Sequence, residues 1–94
     1  MLVVRNSFNA KPGLAGKLAK HLKEMATLMK LKHRVMTDFV GDFNSVVFEI
    51  EVADLNEFQA HFQQYSTDPA LREKMTGYTD LWLTGKREVF QIVP

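Results

Sequence analysis

The chain has 94 residues, the length of one domain, with no room for a second core. Its 12 Lys and Arg stand against 11 Asp and Glu, a formal charge of +1, so the composition gives no general pull toward nucleic acid or an anionic membrane. It has no cysteine for a disulfide, and so small a domain buries a modest share of its surface, which makes support from a partner chain an expectation.

The opening MLVVRNSF is a short apolar run broken at Arg5, too short for a secretory core and without a small-residue cleavage site, so a cytoplasmic location is expected. Leu2 to Phe8, rich in branched and aromatic residues, reads as a first strand that stops at Asn9-Ala10-Lys11-Pro12-Gly13. From there Leu14, Leu18, Leu22, Met25 and Met29 recur at three and four, one stripe down a helix, while Lys17, Lys20, Lys23, Glu24 and Lys30 fall off it. This helix is expected to fray near Leu31-Lys32-His33, where cations meet the negative end of its dipole.

Arg34 to Val52 then forms a hairpin with Gly41-Asp42-Phe43-Asn44 as its turn. Its second arm alternates cleanly: Val46, Phe48, Ile50 and Val52 on one face, Val47, Glu49 and Glu51 on the other. The first arm puts Val35, Thr37 and Phe39 on one side and Met36, Asp38 and Val40 on the other. Bulk on both faces implies that the side away from the helices is also covered, because a monomer seldom exposes a large apolar patch. Val35, Thr37, Phe39, Val47, Glu49 and Glu51 are therefore the candidates for a subunit interface.

Asp54-Leu55-Asn56-Glu57 is a capping box that opens a second helix, whose inner side is expected to include Leu55, Phe58, Phe62 and Tyr65. After Ser66-Thr67, Asp68 caps a further helical segment with Pro69 at its first position and Leu71, Met75 and Tyr78 facing inward. Glu88 to Val93 supplies the last strand. Strand, helix, hairpin, helix and strand in this order make the α+β, ferredoxin-like βαββαβ unit: one domain over 1–94, a four-stranded antiparallel sheet with helices on one face.

The run VMTDFVGDFNSVVFEIEV, the capped DLNEFQAHFQQY helix, the Ser-Thr-Asp-Pro break and the terminal TGKREVFQIV resemble the dimeric α+β barrel superfamily, close to its NIPSNAP-like and antibiotic-biosynthesis-monooxygenase-like branches, over essentially the whole chain. The resemblance implies a homodimer formed through the open sheet face, with the helices outside. It does not single out a chemistry, since the superfamily includes monooxygenases, haem-modifying enzymes, isomerases and ligand-sensing domains. Haem-degrading members carry an Asn late in the first strand, matched here by Asn6. Where they have a Trp in the second helix and a haem-ligating His after the break, this chain has His61 and Lys74. Protonated lysine has no lone pair for iron, so no haem is expected.

Cofactor-independent monooxygenation of a phenol or quinol needs mainly a pocket, a base and polar anchors, which Asn6, His61, Tyr65, Tyr78 and Trp82 could supply. Each also has a structural reading. His61 can border the core, and the aromatic residues can fill it. His21 lies beside the first helix stripe and His33 at that helix's end. The three histidines lack paired ligand spacing, so no metal site is expected. Asn6 is the least ordinary, because an unpaired carboxamide in a buried strand costs roughly 1–3 kcal/mol. It is the first choice for a ligand-facing group, with His61 the candidate base. Arg5, on the opposite face, fits a pair with Glu49 or Glu51, at a subunit interface or in a wet barrel interior.

Two functions from different classes follow. One is a small homodimeric binding protein for an apolar or aromatic ligand held between helices and sheet. The other is a cofactor-independent monooxygenase or isomerase acting on a small aromatic or polyketide-like compound. A pocket joining Asn6, His61 and one of Tyr65, Tyr78 or Trp82 around a ligand-sized volume favours the enzyme.

Overall fold

In the computed structural model, which describes all 94 residues, the opening branched and aromatic run and the cleanly alternating second hairpin arm become the two central strands, β1 (Leu2–Ala10) and β3 (Ser45–Val52). They pair antiparallel, Val4 opposite Ile50 and Asn6 opposite Phe48, so one face collects branched and aromatic side chains. The edges are β2 (His33–Thr37) on β3 and β4 (Trp82–Gln91) on β1, giving an antiparallel sheet in the order β2-β3-β1-β4. Helices α1 (Ala15–Leu28), α2 (Leu55–Thr67) and α3 (Pro69–Lys74) complete the ferredoxin-like α+β arrangement. No helix is long and apolar enough to cross a membrane.

The stripe of α1 does what its spacing requires. Leu18, Leu22, Met25 and Ala26 are buried and pack in one cluster with Val4, Val46, Phe48, Ile50 and Val52 of the sheet. Fully burying a Leu or Val side chain contributes about 1.5–3 kcal/mol, so this cluster is the main source of stability. The helix ends at Leu28, three residues before the expected fraying point. A Schellman closure stops it: the Lys30 N–H donates to the Thr27 carbonyl (3.1 Å) and the Leu31 N–H to the Ala26 carbonyl (3.0 Å). Lys30 takes the left-handed conformation this requires, with φ of 58°. His33 consequently heads β2 rather than closing the helix.

The hairpin departs from the expected pattern in its first arm. Val35 lies opposite Phe48 and Met36 opposite Val47, which puts Val35 and Thr37 on the helix side and Arg34 and Met36 on the open side. The interface set read from the sequence is therefore corrected to Arg34, Met36, Val47, Glu49 and Glu51 on these two strands. Phe39 belongs to neither face. Pairing ends where the Asp38 N–H donates to the Ser45 carbonyl (3.2 Å) and its Oδ1 accepts from the Ser45 N–H (3.1 Å). Beyond that point the chain loops out, leaving Phe39 and Phe43 99% and 84% exposed.

β4 starts at Trp82 rather than Glu88, and Val93 lies outside it. The polar run Thr84 to Glu88 masks its alternation, yet it pairs with β1 throughout, Arg87 opposite Asn6 and Glu88 opposite Arg5. Gly85 faces Phe8 so closely that an added Cβ would sit 3.1 Å from the ring.

Candidate functional site

The capping box forms as its spacing requires. The Asp54 Oδ1 accepts from the Glu57 N–H at 2.9 Å, and the Glu57 carboxylate reaches back to the Ala53 N–H. The helix it starts, α2, buries no residue completely: Phe58 and Tyr65 are half-buried, while Leu55 and Phe62, expected inside, are exposed. Because α2 seats so lightly, a cavity of about 100 Å³ remains between it, α1 and the sheet.

Asn6, His61, Tyr65 and Tyr78 all line this cavity, together with Phe58 and Arg87, and 12 of its 15 lining residues are hydrophobic. Trp82 does not line it. Its ring stands behind, 5.3 Å from Phe8 and 6.1 Å from Tyr78 between centroids, and Phe8 meets Tyr78 edge-on at 6.3 Å. These three rings wall off one end of the space, a packing role that the size of the side chains predicts.

The polar groups are few and individually held. Asn6 Oδ1 accepts from Arg87 Nε at 2.7 Å, which answers the carboxamide's need for a partner. The Arg87 guanidinium also lies over the rings of Phe58 (5.3 Å) and Phe62 (5.6 Å), tying β4 to α2. His61 Nε2 stands 3.5 Å from Glu57 Oε1, one turn back on α2. The capping carboxylate is thus also the nearest anionic neighbour of the candidate base. Burial pushes the Tyr65 phenol above its ordinary range, and the nearby Tyr78 adds to this. Burial likewise raises Tyr78, while the Arg87 guanidinium and the Trp82 indole pull the other way. Trp82 Nε1 has no hydrogen-bond partner, so it acts on Tyr78 only as a neighbouring dipole. Both phenols are protonated at neutral pH and available as donors.

Arg87 was not among the residues that the sequence pointed to. The signal was present in GKREVF, where Gly85, Arg87 and Val89 alternate with Lys86, Glu88 and Phe90, but three charged residues in a row conceal it. Lys74 turns its ammonium to Glu24 at 2.5 Å.

On the open face Glu49 is 4% exposed and accepts from two arginines, Arg5 Nε at Oε2 and Arg34 Nε at Oε1, each 2.6 Å. Burial alone would raise its carboxyl, but Arg34 and Arg5 outweigh that and hold it below the usual carboxylate range. Of the two pairings open to Arg5, the one with Glu49 forms, while Glu51 goes to Lys32 at 2.6 Å.

No protein-family model matches the sequence, and no curated protein is similar to it at a significant level. Solved structures are more informative. An uncharacterized NIPSNAP domain protein from Burkholderia xenovorans superposes with a TM-score of 0.80 at 18% identity, covering 99% of this chain and 95% of its own. A NIPSNAP family protein from Agrobacterium tumefaciens reaches 0.85 at 11% identity, with 98% and 92% covered. An antibiotic biosynthesis monooxygenase gives 0.74 at 17%, with both chains covered fully. This chain has their fold. Both branches that the sequence resembles are thus represented among its structural neighbours, while identities this low say nothing of activity.

Proposed function

We propose that the protein is a cytoplasmic homodimer that binds a small apolar or aromatic ligand between its helices and sheet. The cavity carries this reading: it is an apolar, partly open cleft between two helices and the sheet, joined by a few convergent polar groups, the usual anatomy of a small-molecule site. Its volume of about 100 Å³ is below the roughly 300–1,000 Å³ of drug-sized sites, which points to a single ring or a short chain. Titration of the labelled protein with single-ring aromatics, followed by NMR, tests this. Shifts should cluster at Asn6, Phe58, His61, Tyr65 and Tyr78, and a scattered pattern or none would count against the site.

Dimerisation through the open face is supported by what that face exposes. Met36 and Phe90 are exposed there and Val3 and Val47 are half-buried, around a charge cluster already organised by Glu49. Such a cluster orients partners more than it holds them together. Sedimentation equilibrium at micromolar concentration should give twice the chain mass, and a monomer mass would overturn the dimer.

A second reading is favoured by one observation, the convergence of Asn6, His61, Tyr65 and Tyr78 on a single cavity. His61, with Glu57 beside it at 3.5 Å, would act as a base toward a phenol or quinol in cofactor-independent monooxygenation, or toward an acidic C–H in isomerisation. Oxygen uptake across a panel of phenols and quinols checks the first of these. If uptake is found, an unchanged rate in both His61→Ala and Asn6→Ala would remove those residues from the chemistry.

A further inference from the structure

The cavity's free polar groups are mostly able to donate. Arg87 makes one hydrogen bond, from Nε to Asn6 Oδ1, and its two Nη groups make none within the protein. With the rings of Phe58 and Phe62 at 5.3 and 5.6 Å, that bond fixes a guanidinium which, on a solvated arginine, would swing freely. Its charge is not neutralised. The other arginines at organised positions, Arg5 and Arg34, share Glu49, whereas no carboxylate pairs with Arg87. The nearest turn of α2 carries Glu57, whose carboxylate accepts from the Ala53 N–H and stands 3.5 Å from His61 Nε2.

The same bond determines what Asn6 offers. Since its Oδ1 faces an obligate donor, the groups left over are the two hydrogens of Nδ2, which have no protein partner. Arg87 presents its Nη edge and Asn6 its amide hydrogens, the Tyr65 and Tyr78 hydroxyls can donate as well as accept, and His61 is the remaining polar group of an otherwise apolar lining, so the donors at the Arg87 end outnumber the acceptors. The complement to such a set is a group that only accepts and carries negative charge, attached to something apolar and small.

We infer that the site takes a small apolar carboxylate, its ring or short chain in the cavity and its carboxylate received by the Arg87 fork and the Asn6 amide. This rests on the binding reading above and specifies the ligand's charge. Arginine suits the task because its planar fork meets a carboxylate through two parallel hydrogen bonds.

The experiment compares matched pairs, benzoate with benzamide and butyrate with butyramide, by NMR titration of the full chain and of the variants Arg87→Gln and Arg87→Lys. Arg87 is exposed, and thermal melts verify that the variants fold. The wild type should bind each acid about tenfold or more tightly than its amide, the scale of a charge-assisted pair over a neutral one. That preference should vanish in Arg87→Gln and survive only in part in Arg87→Lys, which keeps the charge and loses the fork. Equal binding of acid and amide by the wild type, or a preference that persists in Arg87→Gln, would overturn the inference. Amide-induced shifts at cavity residues would then still leave the binding reading standing. If neither member of either pair shifts any cavity resonance, both fall.

Discussion

Helices α1 and α2 cover the same face of the same sheet and do so in opposite ways. α1 commits its whole apolar stripe to the core, with Leu18, Leu22, Met25 and Ala26 buried. α2 buries none of its residues and touches the sheet side through half-buried rings and one arginine from β4. The core and the cavity are thereby associated with different helices. A domain this small cannot sacrifice much core, so the cavity lies where the packing was already thin.

The sharpest contrast between the two should come from truncation. Leu18→Ala removes a fully buried side chain and should cost about 2–5 kcal/mol, whereas Phe62→Ala on α2 should cost about 1 kcal/mol or less. Chemical denaturation of both variants checks the difference, and equal losses would erase the distinction between the helices.

The next effect lies on the opposite face. Glu49→Gln weakens two charge-assisted hydrogen bonds, and with Arg5 and Arg34 partly exposed the loss should be about 1–2 kcal/mol. Glu49's carboxyl is lowered in the folded state, so the stability it contributes is complete above the ordinary carboxylate range and fades as pH falls through the lowered value. Melting temperature should therefore depend less on acid pH in Glu49→Gln than in the wild type. An unchanged acid profile would mean that the two arginines do not hold the carboxylate in solution.

Smaller effects test how each helix is delimited. Asp54→Ala removes the side-chain cap of α2 and should cost about 1 kcal/mol. Because α2 stands on the cavity, the same change should also weaken binding of an aromatic probe, and an unaltered affinity would separate the cap from the site. Lys30→Gly relieves a left-handed lysine at the end of α1 and should raise stability by about 0.5 kcal/mol, the relief being partly offset by the freer unfolded chain. A loss of stability there would show that the Lys30 side chain contributes something beyond its backbone angle.

Much of the fold was legible because its signals are local. The stripe from Leu14 to Met29, the alternation from Val46 to Val52 and the caps at Asp54 and Asp68 all became the elements they predict. The strand edges were less so. Where Asp38 ends the ladder and where β4 begins depend on pairing with a distant strand, which no window of sequence contains. The facing of Val35 likewise follows from its register with Phe48. At the site, Asn6, His61, Tyr65 and Tyr78 were legible as polar or amphipathic residues on inward positions, and they line one cavity. Arg87 was not, since a charged residue in a charged run reads as solvated until its neighbour across the sheet is known to be Asn6.

Native-state hydrogen exchange, with and without a saturating single-ring carboxylate, tests most directly the claim that α2 roofs a binding cavity while α1 holds the core. Without ligand, the amides of α2 should open at a markedly lower free energy than those of α1. With ligand, opening of α2 that destroys the cavity should become costlier by up to RT ln(1 + [L]/Kd), the same increment that global unfolding and hence the α1 core amides gain. Equal protection of the two helices without ligand, or no response of α2 to the ligand, would contradict it.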